Sequence, residues 1–188
     1  MISTSSTACP SLSQCVCLWQ AFGDDLATPP ILTFALEELA ASKIIALARR
    51  GLARDLFGVG ELAHLPDLDL EVVRTVLVVR GAAYPPPSPD QYSANAGEQV
   101  RLVDWRAQVV ALARRDQQQD IVIAQQRAEE LLRLVLKLEP GQLQFLRALE
   151  AGTLDATLLG DSALALRAQA NPGLLWRLQR GTAEFEER

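Results

Sequence analysis

Apolar residues recur at three- and four-residue spacing along most of this chain, which is the signature of amphipathic helices packed on a shared core. Thr33 to Arg50 reads as the first such helix, with Gly51 as its stop; Leu36, Leu39, Ala40, Ile44 and Leu47 gather on one face and Glu38, Ser42 and Arg49 on the other. Lys43 interrupts the apolar face, falling between Leu36, Leu39 and Leu47. A second helix is predicted over Ala53 to Leu65, ended by Pro66, and a third from Asp69, its N-cap, to Arg80 with Gly81 behind it. Valine is abundant from Leu68 to Val79, so a strand competes for that stretch.

The run Tyr84-Pro85-Pro86-Pro87-Ser88-Pro89-Asp90 can be neither helix nor central strand and marks the clearest break in the pattern. Helical spacing resumes over Glu98 to Arg115, Asp120 to Leu138, Gly141 to Ala151 and Ser162 to Ala170, and Asn171-Pro172-Gly173-Leu174-Leu175-Trp176 opens a last short helix. The expected fold is therefore mainly α, a helical bundle, with a short strand remnant near the N-terminus. Residues 1–30 read as a poorly ordered or remnant leader, 31–81 as a helical segment, 82–96 as a Pro-rich linker and 97–188 as a C-terminal helical bundle.

Composition agrees with a packed globular chain: of 188 residues, 49% are hydrophobic, 22% charged and only 5% aromatic. A net charge of −5 supplies no overall basic field for a polyanion, so nucleic-acid contact needs a local patch. No Lys or Arg precedes Lys43, which excludes a secretory n-region or an Arg-rich transit peptide, and no apolar run approaches the roughly 20 residues a membrane helix needs. A soluble, cytoplasmic protein without a membrane partner is expected. The three cysteines, Cys9, Cys15 and Cys17, all lie in the first segment and read as reduced thiols in place of a disulfide framework or metal site.

Stock catalytic signals are nearly absent. His64 is the only histidine and reads as a capping or surface residue; Gly58-Val59-Gly60 lacks the third glycine of a dinucleotide fingerprint. What remains is Glu38, Lys43, Arg54 and Asp55 on two consecutive helices joined at Gly51. A short turn brings the second half of one helix beside the start of the next, so Lys43 and Asp55 can meet. A lysine on an apolar face beside a carboxylate suits neutralisation of a phosphate. The plainer reading has Lys43 reaching to solvent while Asp55 caps its helix or pairs with Arg49, Arg50 or Arg54.

The stretch Ala35-Leu36-Glu37-Glu38-Leu39-Ala40-Ala41-Ser42-Lys43-Ile44-Ile45-Ala46-Leu47, then Arg50, then Ala53-Arg54-Asp55-Leu56-Phe57 resembles the AbiEii/AbiGii-type nucleotidyltransferase toxins of type IV toxin–antitoxin systems. The resemblance continues more softly through Gln142 to Trp176 and spans about Ile31 to Arg180. It implies transfer of a nucleotide from an NTP to an RNA acceptor, with Mg²⁺ and NTP as cofactors. Lys43 and Asp55 match the family's catalytic lysine and first motif aspartate. The expected nucleotide-contacting set is Lys43, Glu38 and Arg54, with no metal ligand assigned. Gly58 stands where the family carries its second aspartate, and the family's upstream Gly-Ser and Asp-x-Asp motifs have no counterpart in residues 1–30, where Asp24-Asp25 are adjacent. The expectation is thus a truncated, inactive form of the toxin that needs a complementing N-terminal nucleotidyltransferase chain. The alternative is a non-catalytic α-helical binding module.

Overall fold

A computed structural model describes residues 15–17, 31–112, 120–160 and 163–186, with side chains over 34–112, 120–160 and 163–180. Among these the fold is mainly α. Two three-residue strands, β1 (Cys15–Cys17) and β2 (Ile31–Thr33), pair antiparallel with Val16 opposite Leu32. The helices are α1 (Leu36–Arg50), α2 (Ala53–Leu62), α3 (Leu70–Ala82), α4 (Leu102–Trp105, continued by a π turn over Arg106–Val110), α5 (Ile121–Val135), α6 (Pro140–Glu150), α7 (Ala163–Gln169) and α8 (Pro172–Glu186). No helix of the described residues is long and apolar enough to cross a membrane. Cys9 and the rest of residues 1–30 outside β1 lie outside the described residues.

Valine-rich α3 is a helix because Asp69 caps it, accepting from the Glu71 and Val72 amides at 3.0 and 3.1 Å, and because both its sides are covered. Val73, Val76 and Leu77 join one cluster with α1, α2 and α5, whose centre holds Ile44, Leu47, Leu56 and Leu132. Val78, Val79 and Ala82 join a second with α6, α7 and α8 around Phe145, Leu149 and Leu174. A helix with apolar residues on two of its faces is what such a shared wall requires.

The Pro-rich stretch expected to be a linker is docked on this wall. The Arg49 guanidinium donates to the Pro85 carbonyl at 2.6 Å and stacks on the Tyr84 ring at 5.2 Å, while Arg177 donates to the Ala82 carbonyl at 2.5 Å from the other side. Pro89 and Tyr92 are buried, and Tyr92, Ala96, Val100 and Trp105 belong to the same cluster as α1 and α2. Helices on both sides of the prolines therefore share one core.

Two expected elements come out differently. Glu98 to Arg115 is not one helix: a 3-10 turn at Ala96–Gln99 and an extended Val100 precede α4, and residues 113–119 lie outside the description. The close approach of Gly97 to α2, where a Cβ would stand 2.9 Å from Leu56 Cδ1, fixes that irregular path. On α1 the buried face is rotated from the predicted one. Leu39 is 41% exposed, while Ala41 and Ile45 are buried, because α3 covers one flank of α1 and α2 the other.

Gly81 holds the proline loop against α3: a Cβ there would stand 2.6 Å from the Pro89 ring. Gly81→Ala is expected to lower stability by about 1–3 kcal/mol in urea denaturation, since the stiff ring cannot yield as a flexible side chain would. Next to it, the Tyr92 hydroxyl is buried without a hydrogen-bond partner. Burial pushes this phenol above its usual value, and the Arg49 guanidinium offsets the rise only in part. An acid whose folded-state value is raised stabilises the fold below the unfolded value of about 10 and loses that contribution as pH climbs further. Tyr92→Phe is accordingly expected to be neutral or stabilising at pH 7 and to weaken the alkaline loss of stability; denaturation at pH 7 and above pH 10 checks both.

Candidate functional site

The α1–α2 hairpin is closed by one backbone device. Gly51 takes the left-handed conformation, φ +60°, and donates its N–H to the Leu47 carbonyl at 2.9 Å. Leu52 is extended and its carbonyl accepts from the Asp55 and Leu56 amides, so α2 starts at once and runs back along α1. On α1, Lys43, Leu47 and Arg50 lie at i, i+4 and i+7, one stripe; on α2, Asp55 and Gly58 lie one turn apart.

Asp55 is 2% exposed. Its Oδ1 accepts from Arg50 Nη2 at 3.1 Å, while Oδ2 is buried without a hydrogen bond. This cation at the C-terminus of α1 and this acid in the first turn of α2 each also sit at the favourable end of their helix dipoles. Lys43 is half-buried, and its stem lies across Gly58: a Cβ at Gly58 would stand 3.3 Å from Lys43 Cδ and 3.5 Å from Cε. Among the described residues no ion pair involves Lys43.

Lys43 and Asp55 thus share a seam but do not pair with one another; Asp55 has Arg50 in the place where the phosphate-type reading puts Lys43. Arg54 is exposed beside them. Glu38 stands apart from this set. Its carboxylate lies 3.9 Å from Arg80 of α3, and it lines a groove of about 80 Å³ with Arg80, Arg167 and Asn171. Of the three arginines the sequence offered as partners for Asp55, Arg50 is the one that pairs with it. Its position seven residues after Lys43, across a one-glycine turn from Asp55, was the available signal. His64 is exposed, as a surface residue should be.

On α4 the Asp104 carboxyl is held below its usual range by a hydrogen bond from Arg101. Chemically the hairpin offers cations: half-buried Lys43, Arg50 with half its surface free, and exposed Arg54. Of its carboxylates, buried Asp55 is engaged by Arg50 and Glu38 faces Arg80 of α3. Among the described residues no three His, Cys, Asp or Glu side chains converge, so they do not form a divalent-metal site of the kind two-metal phosphoryl transfer needs.

The Asp55–Arg50 pair sets a clear expectation. Arg50→Met leaves a buried carboxylate without its cation and should cost about 1–3 kcal/mol in urea denaturation. Arg54→Met, at an exposed position, should stay within about 0.5 kcal/mol of the parent. Equal effects of the two would show that the pair does not hold the hairpin.

A family model for the nucleotidyl transferase AbiEii toxin of type IV toxin–antitoxin systems matches residues 13–148. No curated protein and no solved structure matches significantly. The match takes in β1, β2 and the helices from α1 into α6; of the softer resemblance over Gln142 to Trp176, only the first part falls within it. Matched over well more than half of its length, and carrying the Lys43 and Arg54-Asp55 hairpin inside the matched region, the chain belongs to the AbiEii nucleotidyl transferase toxin family of type IV toxin–antitoxin systems.

Proposed function

We propose that the α1–α2 hairpin is the phosphate-holding part of a nucleotidyl transferase toxin that moves a nucleotide from an NTP to an RNA acceptor. Lys43 carries this reading: it is a half-buried lysine with no carboxylate partner among the described residues, on a hairpin that also bears Arg50 and Arg54, and cations of this kind complement a triphosphate. In the reaction an acceptor hydroxyl oxygen forms a bond to the α-phosphorus and gives up its proton to solvent, the bond from that phosphorus to the bridging oxygen breaks, and pyrophosphate leaves with the electron pair. Lys43 and its neighbouring arginines would hold the phosphates and balance their charge.

Mg²⁺ belongs to this proposal only through residues outside the described set. Asp55 is committed to Arg50 and Gly58 offers no ligand, so these hairpin residues do not fit the ion. We infer that the carboxylates come from a complementing N-terminal nucleotidyltransferase chain, and that the described helices alone do not turn over NTP. Membership in a toxin–antitoxin family implies an antitoxin partner, and a cytoplasmic location fits an NTP and RNA substrate. The second reading, a non-catalytic α-helical binding module, is favoured by the same engagement of Asp55.

A thermal-shift titration with each NTP, with and without Mg²⁺, tests the proposal. A ligand at 100 times its Kd adds about 2.7 kcal/mol of stability. One NTP should raise the midpoint, and Lys43→Met should abolish that rise while leaving the unliganded protein as stable or more so, because a charge leaves a largely apolar face. No rise with any NTP contradicts the phosphate-holding role. Turnover of labelled NTP by the purified chain contradicts the need for a complementing chain.

A further inference from the structure

Two glycines of α2, Gly58 and Gly60, occupy helix-interior positions where glycine is the least favoured residue after proline. Gly60 has a packing reason. A Cβ there would stand 3.3 Å from the Ala124 carbonyl oxygen and 3.4 Å from Ala124 Cα, so its bare backbone lets α5 approach. Gly58 has no such neighbour. The three nearest atoms to a Cβ at that position are Cδ, Cε and Cγ of Lys43, at 3.3, 3.5 and 3.8 Å. What the missing side chain accommodates is therefore one lysine stem, three methylenes of it laid along the backbone of α2.

We propose that Gly58 is a positioning residue for Lys43, forming the notch that carries the lysine across α2 and so fixes where its ammonium meets a nucleotide phosphate. The proposal rests on the reading of Lys43 as a phosphate contact. A methyl at position 58 must push a flexible stem outward by a few tenths of an ångström or more, which frees the ammonium and loosens its aim. A carboxylate at position 58 would lie against the same stem and draw the ammonium into an internal pair. The glycine standing where the resemblance puts a second aspartate thus has a physical task in this chain: it leaves Lys43 without an internal counter-ion.

The chain has only two lysines, Lys43 and exposed Lys137, so the second is a built-in reference for amine acylation followed by mass spectrometry. On the full chain without nucleotide, Gly58→Ala is expected to raise the Lys43-to-Lys137 acylation ratio, and Gly58→Asp to lower it. In wild type, ATP, GTP, CTP or UTP should protect Lys43, and Gly58→Ala should lose that protection. An unchanged ratio in both variants overturns the positioning role. If no NTP protects Lys43 in wild type, the phosphate reading fails while the ratio still decides whether Gly58 positions the stem. A melting-temperature cycle covers folding effects. Gly58→Ala should raise the midpoint more in a Lys43→Ala background than in wild type, because the gain in helix propensity is then unopposed. Equal shifts in the two backgrounds contradict the notch.

Discussion

A carboxylate buried to 2% exposure requires a cation, and in this molecule the cation reaches Asp55 only because α1 and α2 are folded back on each other at Gly51. The pair with Arg50 and the left-handed turn are two views of one constraint. Reverse the turn's geometry and Asp55 loses its partner; remove the partner and the seam between the helices holds an uncompensated charge. Everything proposed for the site follows from this register. With Arg50 opposite the first turn of α2, Lys43, two turns earlier on the same stripe of α1, lays its stem across α2 at Gly58.

The hairpin is held in place by the wall behind it. α3 packs against α1 and, through its last turns, against α6, α7 and α8, so two apolar clusters share a single helix. The proline stretch closes the structure over that wall. Arg49 and Arg177 grip its carbonyls from two sides, and Gly81 lets Pro89 approach the end of α3. Arg49 and Arg50 are adjacent and do different work, one pinning the loop and the other neutralising Asp55. A conformational change in the proline loop would therefore be felt within one residue of the candidate site.

Much of this was legible in the residues. The Gly51 stop, the Asp69 cap and the helical spacing of α1, α2, α3, α5 and α6 are local signals, and the structure keeps them. For Val-rich α3 spacing left a strand in competition, since burial on both sides blurs the polar face that marks periodicity, and the Asp69 cap is the local signal that favours the helix. The exposure of Leu39 and the inward turn of Glu38 toward Arg80 depend on which flank α3 covers, a tertiary choice. The prolines announced a break in the helices, but docking through arginine-to-carbonyl bonds carries no periodic signature. At the site, the hairpin and its four charged residues were visible. The partner of Asp55 was not, because Lys43 and three arginines competed for it and only the turn geometry selects Arg50.

The proposed role of Lys43, held on the α1–α2 seam, is to meet the phosphates of a nucleotide. The most direct measurement is a nucleotide titration of the chain labelled at lysine Cε and followed by NMR, where only Lys43 and Lys137 give signals. A phosphate contact at Lys43 predicts a saturable shift of the Lys43 signal with one NTP while the Lys137 signal stays in place. A Lys43 signal that does not move at any NTP concentration, or two signals that drift together without saturating, would contradict it.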